Sequence, residues 1–304
     1  MPAPQMSFKA WTYLIALSAL WGGSFFLIEI IVEQVRPLVL VFGRVFVAAL
    51  TLHLVRLALR IPWPDSARQI RAFVILGALN NALPFSLIVA GQTELAGGVA
   101  AILNATTPLF TVLLADRLTG DERLSWNRLA GVVIGFVGVA AMLGPAAWAG
   151  LGGPVLAQLA ILAAAISYAL AGIYGRRFKG TPPLITATGQ LSASSLLMLP
   201  LVVLIEPAAG FTWPGAGVMA AWLALGTACT ALAYLLYFRI LAMAGATNTV
   251  LVTFLVPIFA ILLGALFLGE RLAITHMLGM AMIGFGLVLI DGRALAPVRP
   301  ARAS

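Results

Sequence analysis

The sequence predicts an all-α polytopic membrane protein of ten transmembrane helices. They form two five-helix repeats of inverted topology, with both termini in the cytoplasm. Three observations carry this prediction. The 304 residues are 62% apolar and 9% charged, with a mean hydropathy of +1.06, whereas soluble domains run near 45–50% apolar and about 25% charged. The basic residues fall almost wholly in alternate loops, and the chain repeats itself about half its length apart. So few charged side chains cannot cover a water-exposed surface. The composition therefore excludes a soluble enzyme, a nucleic-acid-binding domain, a disordered chain and a disulfide scaffold.

Ten apolar segments appear, near residues 10–32, 38–59, 70–91, 96–115, 126–144, 154–175, 184–205, 216–238, 247–268 and 273–291. Each approaches the roughly 20 residues that span a bilayer as a helix. In hydrocarbon every backbone N–H and C=O needs an internal partner, which a lone strand cannot supply. A barrel would instead show alternating segments of roughly ten residues. The first run, Ala10 to Val32, exceeds the roughly 7–15 apolar residues of a signal peptide and ends without a small-residue cleavage site, so it reads as a retained span.

The formal net charge is +8. With the N-terminus inside, fifteen basic residues are cytoplasmic: Lys9, Arg56, Arg60, Arg68, Arg71, Arg117, Arg123, Arg128, Arg176, Arg177, Lys179, Arg239, Arg293, Arg299 and Arg302. Only Arg36 and Arg271 fall outside, and Arg44 lies within a span. This positive-inside asymmetry fixes ten spans and shows no basic face suited to nucleic acid. Cys229 is the single cysteine, and His53 and His276 are far apart with no carboxylate cluster. Neither a metal nor a cofactor is expected.

The repeat is legible residue by residue. Pro108-Leu109-Phe110 matches Pro257-Ile258-Phe259, and Glu122-Arg123-Leu124 matches Glu270-Arg271-Leu272. Gly131 and Gly138 match Gly279 and Gly286, Gly77 matches Gly226, and Gly43-Arg44 aligns with Gly189-Gln190. The offset stays between 146 and 149 residues. The repeats cover 10–144 and 154–291, followed by a basic cytoplasmic tail at 292–304. Five spans per copy is an odd number, so the second copy must enter the membrane inverted. Inverted repeats are the architecture of secondary transporters, which hold their substrate near the midplane between the halves and rock about it.

The run from Glu94 through Asn104 to Pro108, then Gly120-Asp121-Glu122-Arg123, resembles the EamA domain of the drug/metabolite transporter superfamily. So does the second copy, Gly245 to Pro257 followed by Leu268-Gly269-Glu270-Arg271, with Trp21-Gly22-Gly23-Ser24-Phe25 in the first span. Asp116-Arg117 departs from the pattern, where the usual run is apolar. The resemblance implies ten helices and export of small metabolites, often amino acids. The YddG-type amino-acid exporters are a candidate subgroup.

Polar residues inside a span are disfavoured and so suggest a task. Trp21, Phe25, Asn80, Asn81, Phe85, Asn104, Tyr168, Tyr234 and Tyr237 are the candidate substrate-binding residues: aromatics supply flat walls with polar handles, and the asparagines supply amides. Ser24, Thr106, Thr107, Ser167, Thr227, Thr230 and Thr253 are further polar residues within spans. Pro108 and Pro257 remove helical hydrogen bonds and mark bending points for gating. Arg44, the one basic residue deep in a span, has three readings: a pair with Glu29, contact with a substrate carboxylate, or snorkelling outward. The first, structural or gating, is preferred. Trp11, Tyr13, Trp63, Trp126 and Trp213, near span ends, read as interfacial belt.

No carboxylate occupies a midplane position, and Glu29 and Glu33 lie toward the outer end of the first span. Proton coupling is therefore expected to be weak or absent, with Glu29 its carrier if it exists. One interior arginine suits a small neutral or zwitterionic solute, such as an aromatic or aliphatic amino acid. Nucleotide phosphates would want more basic residues. Sugars, other metabolites or drugs are the alternative cargo. A membrane-embedded transferase is a weaker alternative, since no His, Asp or Glu constellation marks an enzyme, and a channel would want a continuous polar stripe. The expected partners are a small-molecule substrate and the bilayer of a bacterial inner membrane, with the chain a monomer or homodimer. The Gly131-to-Gly138 and Gly279-to-Gly286 runs read as close helix packing rather than dinucleotide binding, because neither follows a strand.

Overall fold

In the computed structural model, the residues described are 7–64, 66–118, 126–143, 153–206, 212–249 and 251–291. Glu122-Arg123 and the basic tail at 292–304 lie outside them. The described residues are helical, with no strand among them. The helices are α1 Phe8–Val32, α2 Pro37–Ala58, α3 Ala67–Gly91, α4 Gly97–Leu118, α5 Trp126–Leu143, α6 Gly153–Gly175, α7 Pro183–Ile205, α8 Ala216–Gly245, α9 Val252–Leu268 and α10 Ile274–Asp291. Seven of the helices, α1–α4 and α6–α8, are long and apolar enough to cross a membrane, and α5, α9 and α10 carry shorter apolar stretches.

The helix ends follow local chemistry. The Ser7 hydroxyl accepts from the Ala10 N–H at 3.2 Å and caps α1. Pro37 and Pro183 open α2 and α7, where a missing N–H costs nothing. Gly269, at φ 69°, stops α9 in a left-handed conformation that suits glycine. α4 runs through Asp116-Arg117 to Leu118, and the two side chains pair at 3.8 Å at its exposed end.

The two repeats interleave instead of lying side by side. α1 packs on α9, and α4 on α6; α2 packs on α7 and α8, while α3 packs on α6 and α7; α5 packs on α10. Equivalent glycines make equivalent close approaches. A Cβ on Gly43 would run into the Trp222 ring, and one on Gly189 would meet the Phe73 ring at 2.5 Å. A Cβ on Gly77 would meet the Gln190 carbonyl at 2.6 Å, and one on Gly226 would meet Val47 at 2.8 Å. α2 against α8 is thus repeated as α7 against α3.

Loop contacts show that equivalent helices run in opposite directions. At one end of the bundle Arg36 pairs with Glu206 at 3.5 Å and the Gly215 N–H donates to Gln34 at 3.1 Å, so α1 ends where α8 begins. At the opposite end the α2–α3 and α6–α7 joins meet, with Phe73 stacked on Phe178 at 5.3 Å and Trp63 at 6.0 Å from Phe73. Trp63 therefore belongs to an aromatic cluster at this end of the bundle. Trp126 and Trp213 are largely exposed, at 85% and 76%.

The glycine runs of α5 and α10 face each other. A Cβ on Gly131 would lie 2.5 Å from the Gly286 carbonyl, and one on Gly138 would lie 2.8 Å from the Gly279 carbonyl. Forcing a side chain into such a contact costs about 1–3 kcal/mol. Gly131→Val and Gly286→Val are accordingly expected to lower the melting temperature of the detergent-solubilised protein. Gly284→Ala, with open space around its Cβ, should leave it unchanged or raise it slightly.

Candidate functional site

Helical hydrogen bonding is regular except at a few places, and three of these cluster. α3 widens into a π-helical turn at Ala78–Ala82, and α8 does so at the equivalent position, Thr227–Leu232. π turns recur at functional sites because the extra residue re-aims side chains. α4 is interrupted at Ala105-Thr106, between Gly97–Asn104 and Thr107–Leu118. Together with α1, α2, α6, α7 and α9 these segments enclose a cavity of about 1070 Å³.

The cavity brings together most of the candidates. Trp21, Phe25, Asn80, Phe85, Asn104, Tyr168, Tyr234, Tyr237 and Arg44 all line it. Trp21 and Tyr237 face each other at 5.7 Å between ring centroids, and Phe85 meets Tyr168 edge-on at 6.5 Å. Asn81 does not line it. It is fully buried, and its Oδ1 accepts from the Tyr234 hydroxyl at 2.8 Å. Asn80 Nδ2 donates to the same hydroxyl at 3.0 Å and to Gln190 Oε1 at 2.9 Å. One network therefore ties α3 to α7 and α8 across the repeats.

Pro108 and Pro257 are absent from the wall, though their neighbours Thr107 and Val256 contribute to it. The two are not equivalent in effect. Pro108 stands in the first turn after the break in α4, whereas Pro257 lies inside α9. Gln190, Phe238, Cys229, Thr186 and the α6–α7 join at Arg176, Lys179 and Thr181 also line the cavity. Of these, Gln190 was signalled by its alignment with Arg44.

Arg44 is 5% exposed. Its Nε donates to Thr230 Oγ1 at 3.0 Å, and the guanidinium carbon lies 3.7 Å from the centre of the Phe85 ring. Thr230 in turn donates to the Leu225 carbonyl at 2.7 Å, a partner five residues back that the π turn makes available. The pair with Glu29 does not form. Glu29 Oε2 accepts instead from the Gly97 N–H at 2.7 Å, and Glu270 Oε2 accepts from the Gly98 N–H at 3.3 Å. Both carboxylates thus meet the positive end of α4. Gln92 adds a third tie, from Nε2 to the Phe25 carbonyl at 2.9 Å. The lining reaches Ile28 on α1 and stops at this seal, while at the other end it reaches the α6–α7 join.

Interleaved inverted repeats around a mostly apolar cavity, sealed at one end, are the architecture of a helical membrane transporter. The chain belongs to the EamA-like transporter family, whose profile matches residues 9–144 and 155–291. It is 32% identical to the inner membrane transporter YedA of Escherichia coli K12, over 94% of this chain and 92% of that protein. It is 27% identical to PecM of Dickeya dadantii over 90% of each, and 25% identical to a probable terminal-alkyne amino-acid exporter of Streptantibioticus cattleyicolor over 98% of each. One crystal structure shares the fold with a TM-score of 0.68 at 21% identity, covering 96% of this chain and 99% of that one. With its membrane-length apolar helices, the chain is an integral protein of the bacterial inner membrane.

The Tyr234 hydroxyl joins Asn80 and Asn81, so its removal strands a buried amide. Tyr234→Phe is expected to destabilise the protein by about 0.6–2 kcal/mol, read from thermal melting. Combined with Asn81→Ala the losses should fall short of their sum, since both variants break one contact.

Proposed function

We propose that the protein is a ten-span carrier, with both termini in the cytoplasm, that exports small amphipathic metabolites by alternating access. Its leading substrates are neutral and aromatic amino acids. The observation that carries this reading is the cavity between the repeats. Its volume suits a small solute, its walls offer ring faces from Trp21, Phe25, Phe85 and Tyr237, and its polar handles are few. The basic residues of the α6–α7 join support an open end at the cytoplasm and the Glu29–Gly97 seal at the outer face. This is the conformation that loads cargo from inside. An amino-acid exporter among the relatives supports the same cargo class. The absence of a midplane carboxylate favours a facilitator, and a solute running down its own gradient needs no relay.

The reading predicts saturable flux of aromatic or aliphatic amino acids through proteoliposomes of the purified protein, accelerated by unlabelled substrate on the far side. An imposed pH gradient should not drive accumulation. Trp21→Ala, which removes one wall, should raise the half-saturating concentration about 3–10-fold, as expected for an aromatic contact. Flux that fails to saturate, or that follows the pH gradient, contradicts the proposal.

A further inference from the structure

The charges lining the cavity are one-sided. Among the described lining residues Arg44, Arg176 and Lys179 are basic, and none is acidic. Arg44 is the deep one. Its ionisable neighbours are the Tyr168 and Tyr234 hydroxyls and the Cys229 thiol, none of them a carboxylate. Glu29, the acid best placed by sequence to neutralise it, is spent on the α4 N-terminus. A guanidinium removed from water without a counter-ion is strongly disfavoured. The Phe85 face and the Thr230 hydroxyl offset part of that cost, but neither carries a negative charge.

They do something else as well: they fix the group. Phe85 covers one face of the guanidinium plane, and Thr230 takes the Nε proton. The terminal nitrogens are then the donors left to face a ligand, and a guanidinium fork matches a carboxylate bidentately. Gln190, which occupies the equivalent place in the second repeat, is neutral and already accepts from Asn80. At this pair of positions the inverted symmetry is therefore broken by a single charge, and that charge sits among aromatic side chains, Phe85, Tyr168 and Tyr234.

We propose that Arg44 is the carboxylate receptor of the cavity, and that the missing counter-ion is supplied by the substrate. The carrier then requires one carboxylate next to an apolar or aromatic side chain. It rejects amides and amines of the same shape. This deepens the amino-acid reading and rests on it for the cavity being the transport site, though not for the cargo carrying an amino group.

The test is ligand-induced stabilisation of the full-length protein in detergent, which requires no transport. The probes are L-phenylalanine, L-phenylalaninamide, 3-phenylpropionate and phenethylamine. Binding to the folded state alone raises the melting temperature with ligand concentration. The acid and the propionate should stabilise the protein, and the amide and amine should need at least about tenfold higher concentration for the same shift. Arg44→Gln should lose the preference, and Arg44→Lys, which keeps the charge without the fork, should keep only part of it. Stabilisation by 3-phenylpropionate but not phenylalanine would uphold the receptor and overturn the amino-acid cargo. Equal stabilisation by acid and amide would overturn the receptor and leave the cargo standing. The receptor also falls if none of the four probes binds, or if Arg44→Gln melts like wild type and binds phenylalanine equally well.

Discussion

A backbone in hydrocarbon must hydrogen-bond to itself, and the rest of this molecule depends on where it stops doing so. For most of its length the chain obeys with plain α-helix. It departs at the π turns of α3 and α8, at the break in α4, at the kink by Gly245 and at a third π turn, Gly264–Leu268, that ends α9. The first three border the cavity. Irregular backbone at membrane depth is tolerated where it lines an enclosed space, so the same departures that free carbonyls and amides also create the room in which those groups are useful. The Leu225 carbonyl freed in α8 orients Thr230, and Thr230 orients Arg44.

Interleaving follows from the repeat. Because α2 meets α8 as α7 meets α3, neither copy can bury its faces alone, and the bundle is held by contacts between copies. That arrangement suits a carrier. A rigid-body shift of one copy would exchange one set of equivalent contacts for its mirror set, with little change in the nature of the packing. The seal is formed by Glu29, Glu270 and Gln92, whereas at the α6–α7 end the lining continues to Arg176 and Lys179.

Much of this was legible in the sequence. Apolar length placed the helices, and the repeat placed the cavity residues in equivalent pairs. Composition could not say which of Asn80 and Asn81 faces the cavity, because a π turn shifts the helical register by a residue and no propensity announces it. The pairing of Glu29 was misread for a related reason. Arg44 was the opposite charge within the spans, while the donor Glu29 meets is the backbone N–H of Gly97, which carries no signal beyond two consecutive glycines. Pro108 read as a place where a helical hydrogen bond is lost, and α4 does break at Ala105-Thr106 just before it. The α6–α7 residues were read only as topological charge, since their approach to the cavity depends on how α6 ends.

The central claim is that two inverted copies surround a cavity open at the α6–α7 end and closed at the α3–α4 end. It is tested most directly by labelling intact cells with a membrane-impermeant maleimide, using single cysteines introduced at Thr93 and at Thr181 in a Cys229→Ser background. Thr93→Cys should react from outside, and Thr181→Cys should react only after the membrane is opened. Reaction of both positions from the same side would contradict the account.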